Sequence, residues 1–371
     1  MRGYPSVSLV STYPPTRCGL ATFNSSLYEA LARARGSQAG LSVIAISPEP
    51  GAEPPPEVVA SIDPDRPGDL ATASDFVILQ HEFGIYGADD GIAVLDILKN
   101  LDKPTLVVLH TVLSDPSTRQ REIVEGMAAL AESFVVLSDA ARVRLEANYD
   151  LGGCPVSTIP HGTWLSNRTR LKRGQRPMIL TWGLLGPGKG LEQGIRAMAA
   201  LREMDPKPEY VIAGQTHPNV LKGQGERYRN QLMDLALEMG VEDMVRFINR
   251  YLTRSDLAYL RNRADVCLLP YESRQQVASG ALVEAIGAGV PVVATRFPHA
   301  VELLGPGAGL LVGYDDPTAI ARAVESLLTD PRAAAKAAAA IARLRPSLSW
   351  LAVAQRYESL LIGVKATAGA A

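Results

Sequence analysis

Residues 271–295 read YESRQQVASGALVEAIGAGVPVVAT. An apolar run, Ala264–Pro270, leads into this stretch and ends in a polar loop. Ser279-Gly280 then opens a short apolar helix, and Val290–Thr295 resumes a β-branched run. Strand, loop, helix and strand in that order make a crossover unit, the building block of a parallel sheet covered by helices. The helix carries one carboxylate, Glu284, between Val283 and Ala285. Buried without donors such a group is costly. Two vicinal ribose hydroxyls would satisfy it, and so would water on an exposed helix face. Gln276, eight residues earlier, lies on the loop facing the same helix N-terminus, where its amide can bond sugar hydroxyls.

Outward from this unit the same alternation recurs. In the first half the strand-like runs are Val7–Thr12, Leu41–Ser47, Phe76–His81, Thr105–His110, Phe134–Ser138 and Val156–His161. In the second they are Met178–Gly183, Glu209–Gly214, Val245–Asn249, Ala264–Pro270, Val290–Thr295 and Gly309–Val312. Their continuous apolar character suits strands buried on both faces. Between the first two runs Leu20, Phe23, Leu27, Ala30 and Leu31 fall on one helical stripe, and helices are expected after Thr118 and Asp139. The alternation lapses at 166–177 into an arginine-rich stretch and then restarts, which marks a domain boundary. The sequence predicts an α/β protein with domains at 1–170 and 171–348, and a last helix from Ser349 to Ile362 that returns to the first domain. Pro48–Gly68, dense in proline and acidic residues, reads as a surface loop.

Ligands of open α/β sheets bind beyond the carboxyl ends of the strands. Two loops there end in glycine at a helix start, where bare N–H groups and the helix dipole favour anions. One is YPPTRCG, ending at Gly19. The other is LLGPGKG at 184–190, with Lys189 among its glycines. Neither is a Walker loop or a G-x-G-x-x-G fingerprint. Each also has a plain reading, a strand-to-helix turn or a solvated lysine. Three histidines, His81, His110 and His161, end strands of the first half; such residues commonly serve as structural hydrogen-bonding groups.

Composition narrows the partners. The chain has 371 residues, 47% of them apolar, and a formal charge of −2, so no global field attracts nucleic acid or an anionic membrane. Cys18, Cys154 and Cys267 form no C-x-x-C pair, which argues against a disulfide framework or a zinc site. With no signal-like N-terminus and no apolar run long enough to span a bilayer, a cytoplasmic location is expected. The basic run 168–176 reads as a solvated linker, with peripheral membrane contact as its other reading.

Taken together, RCGLATF (17–23), QHEFGIYG (80–87), LHT (109–111), TWGLLGPGKG (181–190), AGQTHP (213–218) and SGAL (279–282) resemble the retaining glycosyltransferases of the GT-B fold, family 4 or group 1, specifically a less characterised bacterial subgroup. The resemblance implies two Rossmann-like domains with parallel sheets facing across an interdomain cleft, the first on the acceptor side and the second binding a nucleotide sugar. It implies that Gly19 and Gly183 approach the donor, that Lys189 binds the diphosphate and that Glu284 holds the ribose. Ser279 and the backbone of Gly280, Ala281 and Leu282 then face sugar and phosphate. His110 lies at the transferred sugar, and His110, Lys189 and Gln276 form the catalytic set. The donor, GDP-mannose or a UDP-sugar, is a substrate; no cofactor or metal is required, and the acceptor is a sugar, glycan or small molecule. A homo-oligomer is compatible with this picture.

Two positions depart from the family pattern. Gln276 stands where a glutamate is usual, so that position supplies no charge to an oxocarbenium-like transition state. Leu184 follows Gly183 where many members have an arginine, so that phosphate contact is either missing or made from elsewhere, with Arg17 and Arg274 as candidates. Two other classes share the architecture: sugar-nucleotide epimerases and non-catalytic sugar-nucleotide binders.

Overall fold

The computed structural model describes residues 4–47, 51, 53–64, 73–87, 89–166 and 174–368. In chain order the first elements are β1 (Val7–Ser11), α1 (Gly19–Arg35), β2 (Leu41–Ile46), β3 (Val58–Ile62), β4 (Phe76–His81), α2 (Ala93–Asn100), β5 (Thr105–Leu109), α3 (Thr118–Leu130), β6 (Ser133–Val136), α4 (Asp139–Asn148) and β7 (Val156–Thr158). There follow β8 (Met178–Trp182), α5 (Leu191–Ala200), β9 (Glu209–Ala213), α6 (Pro218–Gln224), α7 (Arg227–Glu238), β10 (Val245–Ile248), α8 (Arg254–Arg263), β11 (Val266–Leu269) and α9 (Gly280–Ala288). The last are β12 (Val292–Thr295), α10 (Pro298–Leu304), β13 (Gly309–Val312), α11 (Pro317–Thr329), α12 (Pro331–Leu344) and α13 (Trp350–Ala368). Two compact units result: Met1–Gly162 with Leu348–Ala371, and Thr163–Ser347. The sequence-based boundary at 170/171 lies outside the described residues.

Unit 1 holds a seven-stranded sheet in the order β3-β2-β1-β4-β5-β6-β7, with every pairing parallel. Strands β1, β4, β5 and β6 are buried along their whole length, as continuous apolar runs require when helices cover both faces. On α1 the stripe Phe23, Leu27, Ala30 and Leu31 is buried. The helix stops at Gly36, whose φ of 67° is the left-handed turn glycine tolerates best. Helix α13 packs against α1. There Arg35 Nε meets Glu358 Oε1 at 2.6 Å with both side chains buried, and Trp350 fills space that a Cβ at Gly162 would enter.

Unit 2 holds a six-stranded parallel sheet in the order β10-β9-β8-β11-β12-β13. Its core gathers Leu191, Ile195 and Met198 of α5, Tyr210 and Ile212 of β9, Leu232 of α7, and Ile320 and Val324 of α11. In both sheets the strand order reverses beside the first strand, giving β1/β4 and β8/β11 as switch points. Crevices at such points are where loops from adjacent strands diverge and ligands enter.

Three sequence-based expectations are corrected. The surface-loop reading of Pro48–Gly68 misses β3, an edge strand whose middle three residues are exposed; half-solvated strands lack the continuous apolar run that betrays central ones. Several strands stop one to three residues early, as at Leu109 rather than His110 and Thr158 rather than His161. The trailing residues have already left the ladder for the loops. Of the basic run 168–176, residues 168–173 lie outside the described set. Arg176 is not a free cation: its guanidinium bonds the carbonyls of Lys207, Pro208 and Asp243. Among the described residues no helix is long and apolar enough to cross a membrane.

Candidate functional site

The carboxyl edge of the unit 2 sheet is built from backbone in close contact. After β8 the chain turns at Gly183 (φ 129°), and after β9 at Gly214 (φ 146°). A Cβ on Gly214 would run into the Gly183 carbonyl, so glycine is required for the two loops to touch. Leu185 N–H donates to Gln215 O at 2.9 Å and His217 N–H to Leu185 O at 2.8 Å. The 184–190 loop also reaches the loop after β11, where Glu272 N–H donates to Gly188 O at 3.0 Å. Gly190, at φ 61°, abuts the Pro270 carbonyl. It caps α5 without a side-chain hydrogen bond, and Glu192 lies in the helix's first turn.

Lys189 stands on this frame. Its Nζ lies 4.4 Å from the centre of the Tyr271 ring, and among the described residues no carboxylate lies within salt-bridge distance of it. Burial holds its pKa below the ordinary lysine value. The Tyr271 main-chain carbonyl accepts from Thr295 Oγ1 at 2.5 Å, tying this loop to the end of β12. Ser279 is the N-cap of α9, its hydroxyl accepting from Leu282 N–H at 3.3 Å. The Leu282 N–H expected to face a ligand is therefore already committed, while Gly280 and Ala281 carry the remaining first-turn amides.

Gln276 and Glu284 are more constrained than their sequence setting suggests. Gln276 Nε2 donates to Ala278 O at 3.0 Å, and its main-chain carbonyl accepts from His299 N–H at 3.3 Å. His299 Nδ1 accepts Ser279 N–H at 2.8 Å. It is a buried organiser of the loop that nothing in the local sequence announces. Glu284 finds donors within the protein: Trp182 Nε1–H at 3.2 Å and Arg261 Nη1 at 3.0 Å, both on Oε2. Its side chain stays 25% exposed, and its other oxygen has no bond among the described residues.

A further group on this edge was not expected from sequence. His217 Nδ1 accepts Asn219 N–H at 3.2 Å, which leaves the ring proton on Nε2. Burial, and then the charge of nearby Lys189, lower its pKa. Of the two arginines expected to replace the missing phosphate contact, Arg274 lies over the Tyr314 ring at 4.5 Å and Arg17 is exposed.

The corresponding edge of unit 1 has different chemistry. Cys18 caps α1 through its sulfur, which accepts from Ala21 N–H at 3.4 Å and lies 3.1 Å from Thr12 Oγ1. Gly19 begins the helix with open space where a Cβ would stand. His110 Nε2 lies 2.8 Å from Gln80 Oε1, and its ring meets Phe23 edge-on at 4.7 Å. Burial first, then the fields of His161 and His81, lower its pKa to about 3, so this imidazole is neutral. His81, expected to be a hydrogen-bonding residue, has neither ring nitrogen bonded. It packs against Phe83 and Tyr86, and burial takes its pKa to about 3. His161 Nδ1 pairs with the Gly162 carbonyl at 2.7 Å. Beside His110 stands Glu82, which sequence reading passed over. Its Oε2 accepts Thr111 Oγ1–H at 2.6 Å and its Oε1 accepts Phe83 N–H at 3.1 Å. Burial raises its pKa against the pull of those two bonds.

Residues 164–344 match the family described as Glycosyl transferases group 1. Among curated proteins, the GDP-mannose-dependent alpha-(1-6)-phosphatidylinositol monomannoside mannosyltransferase of Mycolicibacterium smegmatis is 34% identical over 45% of this chain and 43% of its own. The D-inositol 3-phosphate glycosyltransferase of Salinispora tropica is 32% identical over 57% of this chain and 44% of its own. The chain thus spans less than half the length of these relatives. Among solved structures, sucrose-phosphate synthase from Thermosynechococcus elongatus superposes with a TM-score of 0.74 at 18% identity, covering 97% of this chain and 99% of that one. HepE of Anabaena, in complex with UDP and glucose, gives 0.71 at 16% identity, over 96% and 100%. The fold is therefore GT-B, and it is over residues 164–344 that the chain matches the group 1 glycosyl transferases.

Proposed function

We propose that the protein is a glycosyltransferase that moves a hexosyl group from a nucleotide-diphosphate sugar, GDP-mannose or a UDP-sugar, to an acceptor hydroxyl with retention of configuration. The observation that carries this reading is Lys189: a largely buried ammonium stacked on Tyr271, with no carboxylate within salt-bridge distance among the described residues, on the loop that ends at the Gly190 cap of α5. A cation held this way is satisfied by an anion. A diphosphate leaving group is such an anion, and one of the similar proteins is a GDP-mannose-dependent mannosyltransferase.

In this reading Lys189, His217 Nε2–H and the first amides of α5 and α9 meet the charge that develops on the departing diphosphate. Because these groups supply positive charge themselves, the reaction proceeds without a metal ion. Glu284 offers its free oxygen to the ribose hydroxyls while Trp182 and Arg261 fix the other. Gln276 orients the donor sugar as a neutral amide, and the departing phosphate takes the proton of the acceptor hydroxyl. His110, neutral at working pH, positions rather than abstracts. Lys189→Ala and Glu284→Ala test the assignment through donor binding and turnover; if both variants match the wild type, the site is wrongly placed. Incubation with donor alone, followed by NMR of the products, separates transfer from epimerisation.

A further inference from the structure

We propose that His299 is a positioning residue for the transferred sugar. It fixes residues 276–279 independently of the lysine half of the same loop, and so sets the preference of the protein for a nucleotide sugar over the bare nucleoside diphosphate. The sugar in this statement rests on the transferase reading; the anchoring of the loop does not.

The loop between β11 and α9 is held at two separate places, both by the segment that follows β12. At its start Thr295 Oγ1–H donates to the Tyr271 carbonyl, and the Phe297 ring stacks on the Tyr271 ring with centroids 5.2 Å apart. The same tyrosine ring carries Lys189. At its end stands His299, buried in the first turn of α10. Its Nδ1 accepts Ser279 N–H at 2.8 Å, and its main-chain N–H donates to the Gln276 carbonyl at 3.3 Å. One residue thus holds both ends of the segment 276–279.

Within that segment Gln276 Nε2–H donates to Ala278 O at 3.0 Å. This leaves Oε1, which accepts no hydrogen bond among the described residues, for a ligand hydroxyl. Where that oxygen lies follows from the path of the main chain between Gln276 and Ser279, and His299 grips both ends of that path. The diphosphate side depends on other contacts: Lys189 rests on Tyr271, and α9 keeps its own cap through Ser279 Oγ and Leu282 N–H. Ser279 is buried, so removing the acceptor on His299 leaves an enclosed N–H unpaired and the segment must shift to satisfy it. Asparagine at 299 carries an oxygen near the place of Nδ1, while leucine carries no acceptor.

Wild type, His299→Leu and His299→Asn, each as the full chain, are compared by hydrogen exchange at the Ser279 amide and by calorimetry with UDP, UDP-glucose, GDP and GDP-mannose. Exchange at Ser279 is expected to be about tenfold faster or more in His299→Leu and close to the wild-type rate in His299→Asn. Affinity for the preferred nucleotide sugar falls about tenfold in His299→Leu, that for its diphosphate changes by less than about twofold, and His299→Asn restores the ratio. Unchanged exchange in His299→Leu, an unchanged ratio of the two affinities, or a ratio that His299→Asn does not restore overturns the proposal. Should His299→Leu fail to fold, His299→Gln, whose oxygen reaches past the place of Nδ1, stands in for it. A wild type that binds neither diphosphate nor nucleotide sugar contradicts the transferase reading and the sugar role with it, while the exchange rates still decide whether His299 holds the loop.

Discussion

The two sheets share one strand order about the switch point and carry opposite chemistry at their carboxyl edges. In unit 2 the loops after β8, β9 and β11 are pressed together through Gly183, Gly190 and Gly214, and a lone ammonium, Lys189, projects among helix starts. In unit 1 the first helix is capped by Cys18, and the edge carries two neutral imidazoles, His81 and His110, beside Glu82, which is bonded to Thr111 and the Phe83 amide and has no cation within salt-bridge distance among the described residues. The backbone topology is the same in both, so the difference resides in which residue types follow each strand.

The sharpest way to break the unit 2 edge is Gly190→Ala. A methyl there meets the Pro270 carbonyl at a φ of 61°, so we expect a loss of about 3 kcal/mol or more in chemical denaturation, together with loss of donor binding. Gly19→Ala, in open space, serves as the contrasting substitution and leaves stability nearly unchanged.

Acid breaks the other edge. His81 and His110 have folded-state pKa values of about 3 against an ordinary 6.5. The folded state therefore binds fewer protons than the unfolded one between those values. Their contribution to stability is complete above about pH 6.5 and is lost as the pH falls towards 3, by up to about 1.4 kcal/mol per pH unit for each histidine. Denaturation midpoints at pH 7 and pH 5 measure this, and His81→Phe, which removes two unbonded buried nitrogens, is expected to flatten the dependence.

Glu284→Gln weakens the attraction to Arg261 while preserving shape, and is expected to cost about tenfold in donor affinity by calorimetry. The smallest expected effect is Cys18→Ser. A hydroxyl caps a helix better than a thiol, and a gain of about half a kcal/mol or less is anticipated at the start of α1.

Central strands were legible because burial on both faces leaves an unbroken apolar run, as in Val7–Ser11 and Phe76–His81. Strand β3 was not, since Val59, Ala60 and Ser61 face solvent and lie in a proline-dense stretch. The start of α9 was legible from Ser279-Gly280. The partners of Glu284 were not, because Trp182 and Arg261 come from β8 and α8, 102 residues and about two dozen away. His299 and His217 were equally hidden, since their roles depend on which loops the sheet brings together. Glu82 left a faint signal that could have been read: a charged residue directly after an apolar strand, at the edge where ligands bind.

The central claim, that the Lys189 edge of unit 2 holds a nucleotide-sugar diphosphate, is tested most directly by thermal shift of wild type and Lys189→Ala against GDP-mannose and UDP-glucose. The account predicts that one donor stabilises the wild type, by about 2.7 kcal/mol at a hundredfold excess over its dissociation constant, and that the variant's affinity for that donor falls about 10- to 100-fold. Equal stabilisation of the two proteins, or none of either, would contradict it.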